Sequence, residues 1–226
     1  MGTVAPLVFK QPQFDPDKDL APVATVGLSP LVVAVAANSP VQSLADLVRL
    51  SKANPGKLNF AAPQLNSLPH LAGELLNKTG SLGLFTVPYR SPPEAVSALL
   101  SGDAAVTIDG LPSVLPQVRA GRLRALGVTS ARRLPGIDIP AIAETFPGYE
   151  LTGWFQIMAP AGTPPAIIDR FNADLNRVTA SAEIASRLNE LGIYPRQDSV
   201  KAARDFFDEQ QIAMKRVMSE LGIQAQ

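Results

Sequence analysis

The sequence predicts an α/β fold, and three observations carry that prediction. Residues 31–36, LVVAVA, are a short continuous apolar run rich in β-branched side chains, which suits a strand buried on both faces. From there to residue 128, apolar runs alternate with amphipathic stretches of about ten residues, the pattern of βαβ units and a mostly parallel sheet. After Pro160 the strand pattern gives way to helix.

Taken in order, residues 1–30 hold Pro6, Pro12, Pro16, Pro22 and Pro30. So many missing N–H donors argue against a helix or a central strand, and this segment reads as connection rather than core. Asn38-Ser39-Pro40 ends the strand at 31–36, and Ser43 then caps a helix whose apolar stripe is Leu44, Leu47, Val48 and Leu50, stopped by Asn54-Pro55-Gly56. The alternation continues as strand 58–62, helix 67–78, strand 84–87, helix 92–100, strand 104–108, helix 112–120 and strand 123–128. Prolines at 135, 140 and 147 leave room for one short helix, 141–145, before a strand at 154–159. Thr163-Pro164-Pro165 opens a helix with a capping hydroxyl and a first-turn proline, and Ile167, Ile168, Phe171, Leu175 and Val178 recur at helical spacing. Ile184, Leu188 and Leu191 extend the helical reading to Gly192. A last helix runs from Asp198-Ser199 to Leu221, with Val200, Ala203, Phe207, Met214, Val217 and Leu221 inward and Gly222 as its stop. This helical C-terminal third has no sheet of its own to cover.

Composition removes several chemistries. Twenty Lys+Arg balance twenty Asp+Glu, so the chain lacks the clustered positive field that nucleic acid or an anionic membrane surface requires. Zero Cys excludes disulfides, thiolate nucleophiles and thiolate metal ligands, and a single histidine, His70, excludes a multi-His centre; a carboxylate-bound Mg²⁺ is the metal chemistry left open. No G-x-S-x-G elbow, Walker loop or G-x-G-x-x-G fingerprint occurs. Met1 to Pro6 has no basic n-region, and no run of 18 apolar residues is present.

What remains is a set of loops at the carboxyl ends of the predicted strands, where open α/β sheets bind ligands. Pro63-Gln64-Leu65-Asn66-Ser67 leads into a helix containing His70; it reads either as a Ser-capped helix start or as a cradle of free N–H groups for a carboxylate. His70 is a packed helical residue or a ligand contact. Tyr89 and Arg90 leave a strand before another helix, with Arg90 a surface charge or an anion partner. Asp109, at a strand end, caps a helix or meets a ligand. Trp154 and Phe155 read as core or hinge packing.

Several strings in one order then carry a resemblance: Phe14-Asp15-Pro16 with Lys18-Asp19-Leu20-Ala21-Pro22-Val23, Ser43-Leu44-Ala45-Asp46-Leu47, Asn54-Pro55-Gly56-Lys57-Leu58, Ser67 with His70-Leu71, Val87-Pro88-Tyr89, Asp109 with Leu111-Pro112-Ser113, Ala120-Gly121-Arg122-Leu123, and Ala159-Pro160-Ala161-Gly162-Thr163-Pro164. Over essentially its whole length the chain resembles the Bug family, the periplasmic solute-binding proteins of tripartite tricarboxylate transporters. The resemblance implies a two-lobed, type II periplasmic-binding-protein (Venus-flytrap) fold, with 31–152 as a continuous second lobe and 1–30 plus 153–226 as the first. The helical C-terminal third would then cover a sheet begun by the N-terminal segment. It implies a monomeric periplasmic carrier that is not an enzyme and uses no cofactor. Such a carrier holds a small carboxylated solute between its lobes and hands it to a membrane permease.

The family pattern opens with a strand and a Pro-Gly-Gly-rich loop, and Gly2-Thr3 resembles the end of the following ligand loop. The expectation is therefore an N-terminally truncated chain, its first lobe incomplete and its signal peptide absent. Pro63-Gln64-Leu65-Asn66 replaces a Gly/Ser-rich loop, narrowing the pocket and removing an N–H at Pro63, while Ser67, His70, Tyr89 and Asp109 match and Arg90 stands where Lys is frequent. The ligand-binding set implied is Thr3, Gln64, Asn66, Ser67, His70, Tyr89 and Asp109. The alternative is an interaction or sensing protein, or a fragment without solute binding, that engages a protein partner.

Overall fold

The alternation between residues 31 and 128 folds into one five-stranded sheet. The structure, a computed structural model, describes residues 15–223, so Thr3 lies outside the described residues. Two compact units divide the chain, one running up to Ser29 and resuming at Trp154, the other spanning Pro30–Gly153.

In the Pro30–Gly153 unit the elements are β2 (Leu31–Ala36), α2 (Leu44–Ala53), β3 (Asn59–Pro63), α3 (Leu68–Thr79), β4 (Phe85–Tyr89), α4 (Pro92–Ser101), β5 (Val106–Gly110), α5 (Leu111–Arg119) and β6 (Leu123–Val128), with a 3₁₀ turn at Ile142–Glu144. Ser43 caps α2 as its sequence requires, its hydroxyl accepting the Asp46 N–H at 3.1 Å. The strands lie in the order β4-β3-β5-β2-β6. β3 pairs with β4 and β5 in parallel, whereas β2 runs antiparallel to both its neighbours. The expected mostly parallel sheet is thus corrected to a mixed one. The helix after β2 leads to a strand that is not its neighbour, so the βαβ rule that aligns adjacent strands does not act on it. Side chains of β2 from Leu31 to Val35 are buried, as befits a continuous apolar strand between two others. Phe60 on β3 is fully buried, and Gly73 of α3 lets the helix approach its ring: a Cβ at Gly73 would stand 2.0 Å from a Phe60 ring carbon.

The other unit holds a short helical turn, α1 (Pro16–Asp19), then β1 (Leu20–Ser29), β7 (Gly153–Pro160), α6 (Pro165–Thr179), α7 (Ala182–Glu190), β8 (Tyr194–Pro195) and α8 (Val200–Leu221). β1 is the middle strand of a three-stranded sheet ordered β7-β1-β8, which corrects the reading of this segment as mere connection. Its Pro22 is tolerated because β8 pairs only with Gly27 and Leu28 and does not reach the proline's level. Gly27 is required at that pairing, since a Cβ there would meet the Tyr194 carbonyl oxygen at 2.4 Å. The helical C-terminal third covers this sheet. Trp154 packs edge-to-face on Phe206 and Phe207 of α8, and Gln156 donates to Ala203 O at 2.7 Å.

Two local expectations change here. Pro164, not Thr163, occupies the N-cap of α6, and no side chain caps it. The regularly spaced Ile167, Phe171 and Val178 are exposed, while Asn172 and Thr179 face inward. Asn172 takes the inner position because its amide donates to two backbone carbonyls, Val23 O at 2.8 Å and Asp198 O at 3.0 Å, the latter shared with the Asn176 amide. Phe155 is likewise exposed, while Trp154 packs. Among the described residues, no helix is long and apolar enough to cross a membrane.

Candidate functional site

The carboxyl ends of β3, β4 and β5 converge on one edge of the five-stranded sheet. Pro63 pairs with Tyr89 across β3 and β4, and Ala61 pairs with Thr107 across β3 and β5. Two residues further along that register, Pro63 comes level with Asp109. Three strand ends thus bring the 63–67 loop, Tyr89 and Asp109 together, although 46 residues separate Pro63 from Asp109 in the sequence.

The loop is held by its own hydrogen bonds. Gln64 N–H donates to Tyr89 O at 2.9 Å, Ser67 N–H to Gln64 O at 3.2 Å, and the Ser67 hydroxyl to Pro63 O at 2.6 Å. Ser67 also caps α3, accepting the His70 N–H at 3.4 Å, and Asn66 N–H donates to His70 Nδ1 at 3.2 Å. Gln64 and Asn66 stand in the left-handed region, φ 53° and 60°, which is uncommon for non-glycine residues and which asparagine enters most readily of them. The expectation of a loop with free N–H groups is therefore corrected: internal bonds take those of Gln64, Asn66, Ser67 and His70, leaving Leu65 and Leu68 outside the network. What the loop offers instead is its side chains, the exposed amide of Gln64 and the half-buried amide of Asn66.

His70 is buried, with 8% of its surface exposed, and burial holds its pKa below the ordinary histidine value against the opposing pull of the Glu74 carboxylate. Its Nε2 lies 3.7 Å from Glu74 Oε1, which also accepts from the Thr86 hydroxyl of β4. The ring nitrogens thus face the loop and Glu74. Glu74 and Thr86 escaped the sequence reading, though the i,i+4 spacing of His70 and Glu74 was there to be seen. A further support without a sequence signal is Tyr149, whose buried hydroxyl donates to Ala72 O of α3 at 2.8 Å. Burial pushes its phenol pKa well up, so it stays a donor.

Tyr89 is half-buried against the small side chains of Ala61, Ala95, Ala98 and Ala104. Arg90 is exposed, and its N–H donates to Glu94 at 3.1 Å. Asp109 does not cap α5, because β5 extends to Gly110 and Gly110 takes the N-cap. Asp109 Oδ1 accepts the Gly110 N–H at 2.7 Å, but Oδ2 is buried without a hydrogen-bond partner, and only 5% of the residue is exposed. Burial raises its carboxyl pKa, with the Gly110 N–H and the nearby Ser113 hydroxyl pulling the other way. A buried carboxylate oxygen left open beside polar side chains at a strand-end cluster suits a polar ligand.

A protein-family model described as the tripartite tricarboxylate transporter family receptor, TctC, matches residues 1–223. The chain belongs to this family. The TctC family is one of receptors rather than enzymes. A UPF0065 protein of Bordetella bronchiseptica is 36% identical over 221 residues, covering 97% of this chain and 65% of its own. The protein BugT of Bordetella pertussis is 35% identical over 180 residues, 79% of this chain and 55% of BugT. The chain thus spans about two thirds or less of these relatives' lengths. Among solved structures, an R. palustris protein determined with adipate shares 30% identity with a TM-score of 0.86, covering 100% of this chain and 76% of that one. The α/β fold of this TctC chain is that of the periplasmic binding proteins.

Proposed function

We propose that this chain belongs to a periplasmic receptor that captures a small carboxylated metabolite and delivers it, as a monomer, to the membrane permease of a tripartite tricarboxylate transporter. The match to the receptor family over residues 1–223 carries the reading. The site chemistry agrees with it, and the adipate bound to the R. palustris neighbour indicates the ligand class. In the Pro30–Gly153 unit, Gln64, Asn66, Ser67, Tyr89 and Asp109 form the ligand-facing set, with His70 behind them. A ligand carboxylate set against Asp109 shares one proton with it, and burial already biases Asp109 toward its protonated form.

Isothermal titration of the purified chain with adipate, other dicarboxylates, aromatic acids and acidic amino acids tests the reading. Saturable binding by one class, weakened by Asp109→Ala, is expected. Silence across the whole panel overturns it.

A further inference from the structure

We infer that His70 is the positioning residue of the ligand loop: its Nδ1 accepts the Asn66 N–H and thereby holds Asn66 in the left-handed conformation that aims its side-chain amide. The inference rests on the solute-binding reading for its consequence, but its geometry stands apart from any ligand.

Asn66 has φ 60°, and the Asn66 N–H to His70 Nδ1 bond spans 3.2 Å from the loop to the first turn of α3. Asparagine also populates other conformations, so a bond at its own N–H biases it toward this one. The bond requires a neutral ring with its proton on Nε2. The structure supplies reasons for that tautomer: Nε2 points toward Glu74 Oε1 at 3.7 Å, and the Thr86 hydroxyl fixes the same oxygen from β4. A line of contacts therefore runs from β4 through Glu74 and His70 to the loop. At 3.7 Å the carboxylate is beyond hydrogen-bond distance and favours a proton on Nε2 through its charge alone. Glu74 is the charged group acting on the ring, and burial lowers the ring's pKa against that pull, favouring the neutral form.

The roles also separate. Ser67 closes the loop on Pro63 O and caps α3, and Gln64 N–H ties it to Tyr89 O. Ser67 N–H to Gln64 O, 3.2 Å, closes a turn over Leu65 and Asn66 and restrains Asn66 as well. His70 supplies the bond at the Asn66 N–H itself, so its removal loosens Asn66 while the turn and the loop stay closed.

Two measurements test this on the full chain. The first needs no ligand: ¹⁵N NMR at pH 7.5 should show a scalar coupling between the Asn66 amide nitrogen and His70 Nδ1, together with the Nε2–H tautomer. Both should vanish as pH falls below 6.5 and the ring charges, since its folded-state pKa lies below that value. A missing coupling with a freely exchanging Asn66 amide overturns the inference whether or not the chain binds solute. The second compares adipate affinity. His70→Phe keeps the ring volume and removes the acceptor; it should weaken binding about five-fold, the worth of one ordinary hydrogen bond. His70→Asn, whose Oδ1 lies close to where Nδ1 was, should bind within about two-fold of the parent, by the same one-bond scale. Unchanged affinity in His70→Phe overturns the positioning role. Equal loss in both variants also does so, because a merely packed ring would not be rescued by an acceptor. If adipate and every other acid fail to bind while the coupling is present, the solute reading fails and the loop-holding role of His70 survives.

Discussion

Substituting Gly73 by alanine tests how tightly the α3 helix is seated behind the site. The added Cβ would stand 2.0 and 2.1 Å from two ring carbons of Phe60, where ordinary contact begins at 3.4 Å. The helix and the ring must therefore separate by about 1.4 Å, and Phe60 is 1% exposed with no open space to enter. Overpacking of this kind costs about 3 kcal/mol at the upper end of its usual range. Replacing glycine by alanine within a helix returns about 1 kcal/mol. The net expectation is a loss of about 2 kcal/mol, lowering Tm by roughly 4–8 °C. Chemical denaturation and thermal melts measure it directly. Because Ser67 and His70 ride on the first turn of α3, adipate affinity should fall alongside stability. Pairing Gly73→Ala with Phe60→Leu should recover part of both, the signature of two residues coupled in contact. A Gly73→Ala chain as stable as the parent, or a double variant no better than the sum of the singles, refutes the argument.

Other substitutions probe the remaining contacts. Asp109 has a raised folded-state pKa, so the folded form holds the proton more tightly than the unfolded chain and stability falls as pH rises above 3.8 through the folded value. Asp109→Asn, which removes the buried charge, should therefore melt higher than the parent at pH 7–8, with the gap closing as pH drops. The same change should abolish any proton uptake seen in adipate calorimetry. Asn172→Ala removes the side-chain donor from Val23 O, while Asp198 O keeps its Asn176 donor, and should cost about 2 kcal/mol in denaturant unfolding. Glu144, paired with the Arg133 guanidinium, has its pKa lowered from 4.5 to about 2, so its contribution is complete above 4.5 and is lost as pH falls toward 2. Melts of Glu144→Gln should show a flatter acid limb than the parent in that window.

Much of the site was legible because its signals are short-range. Ser43 and Ser67 cap helices through N–H groups three residues on, so their roles can be read from neighbours alone. The placement of the 63–67 loop, Tyr89 and Asp109 at strand ends followed from the alternation of strand and helix. The state of the loop did not. Its Gln64 N–H is taken by Tyr89 O, 25 residues away, and no local pattern announces that bond. Nor does the sequence show that Asp109 continues β5, since strand length is set by the pairing of Val32 with Asp109 and Leu31 with Gly110.

What the sequence by itself determined is whatever depends on contacts within about one helical turn or on the period of apolar residues: the α/β class, the order of elements, the helix caps, and through its ordered strings the receptor family. Tertiary structure alone decided the choices that depend on distant partners. It set β2 antiparallel between β5 and β6, made β1 a central strand despite its proline, and turned Asn172 inward while Ile167 and Phe171 face out. It also spent the N–H groups of Gln64, Asn66 and Ser67 on the fold. In each case the deciding contact joins groups far apart in the chain, where a buried donor or acceptor takes whichever partner the packed structure brings within reach.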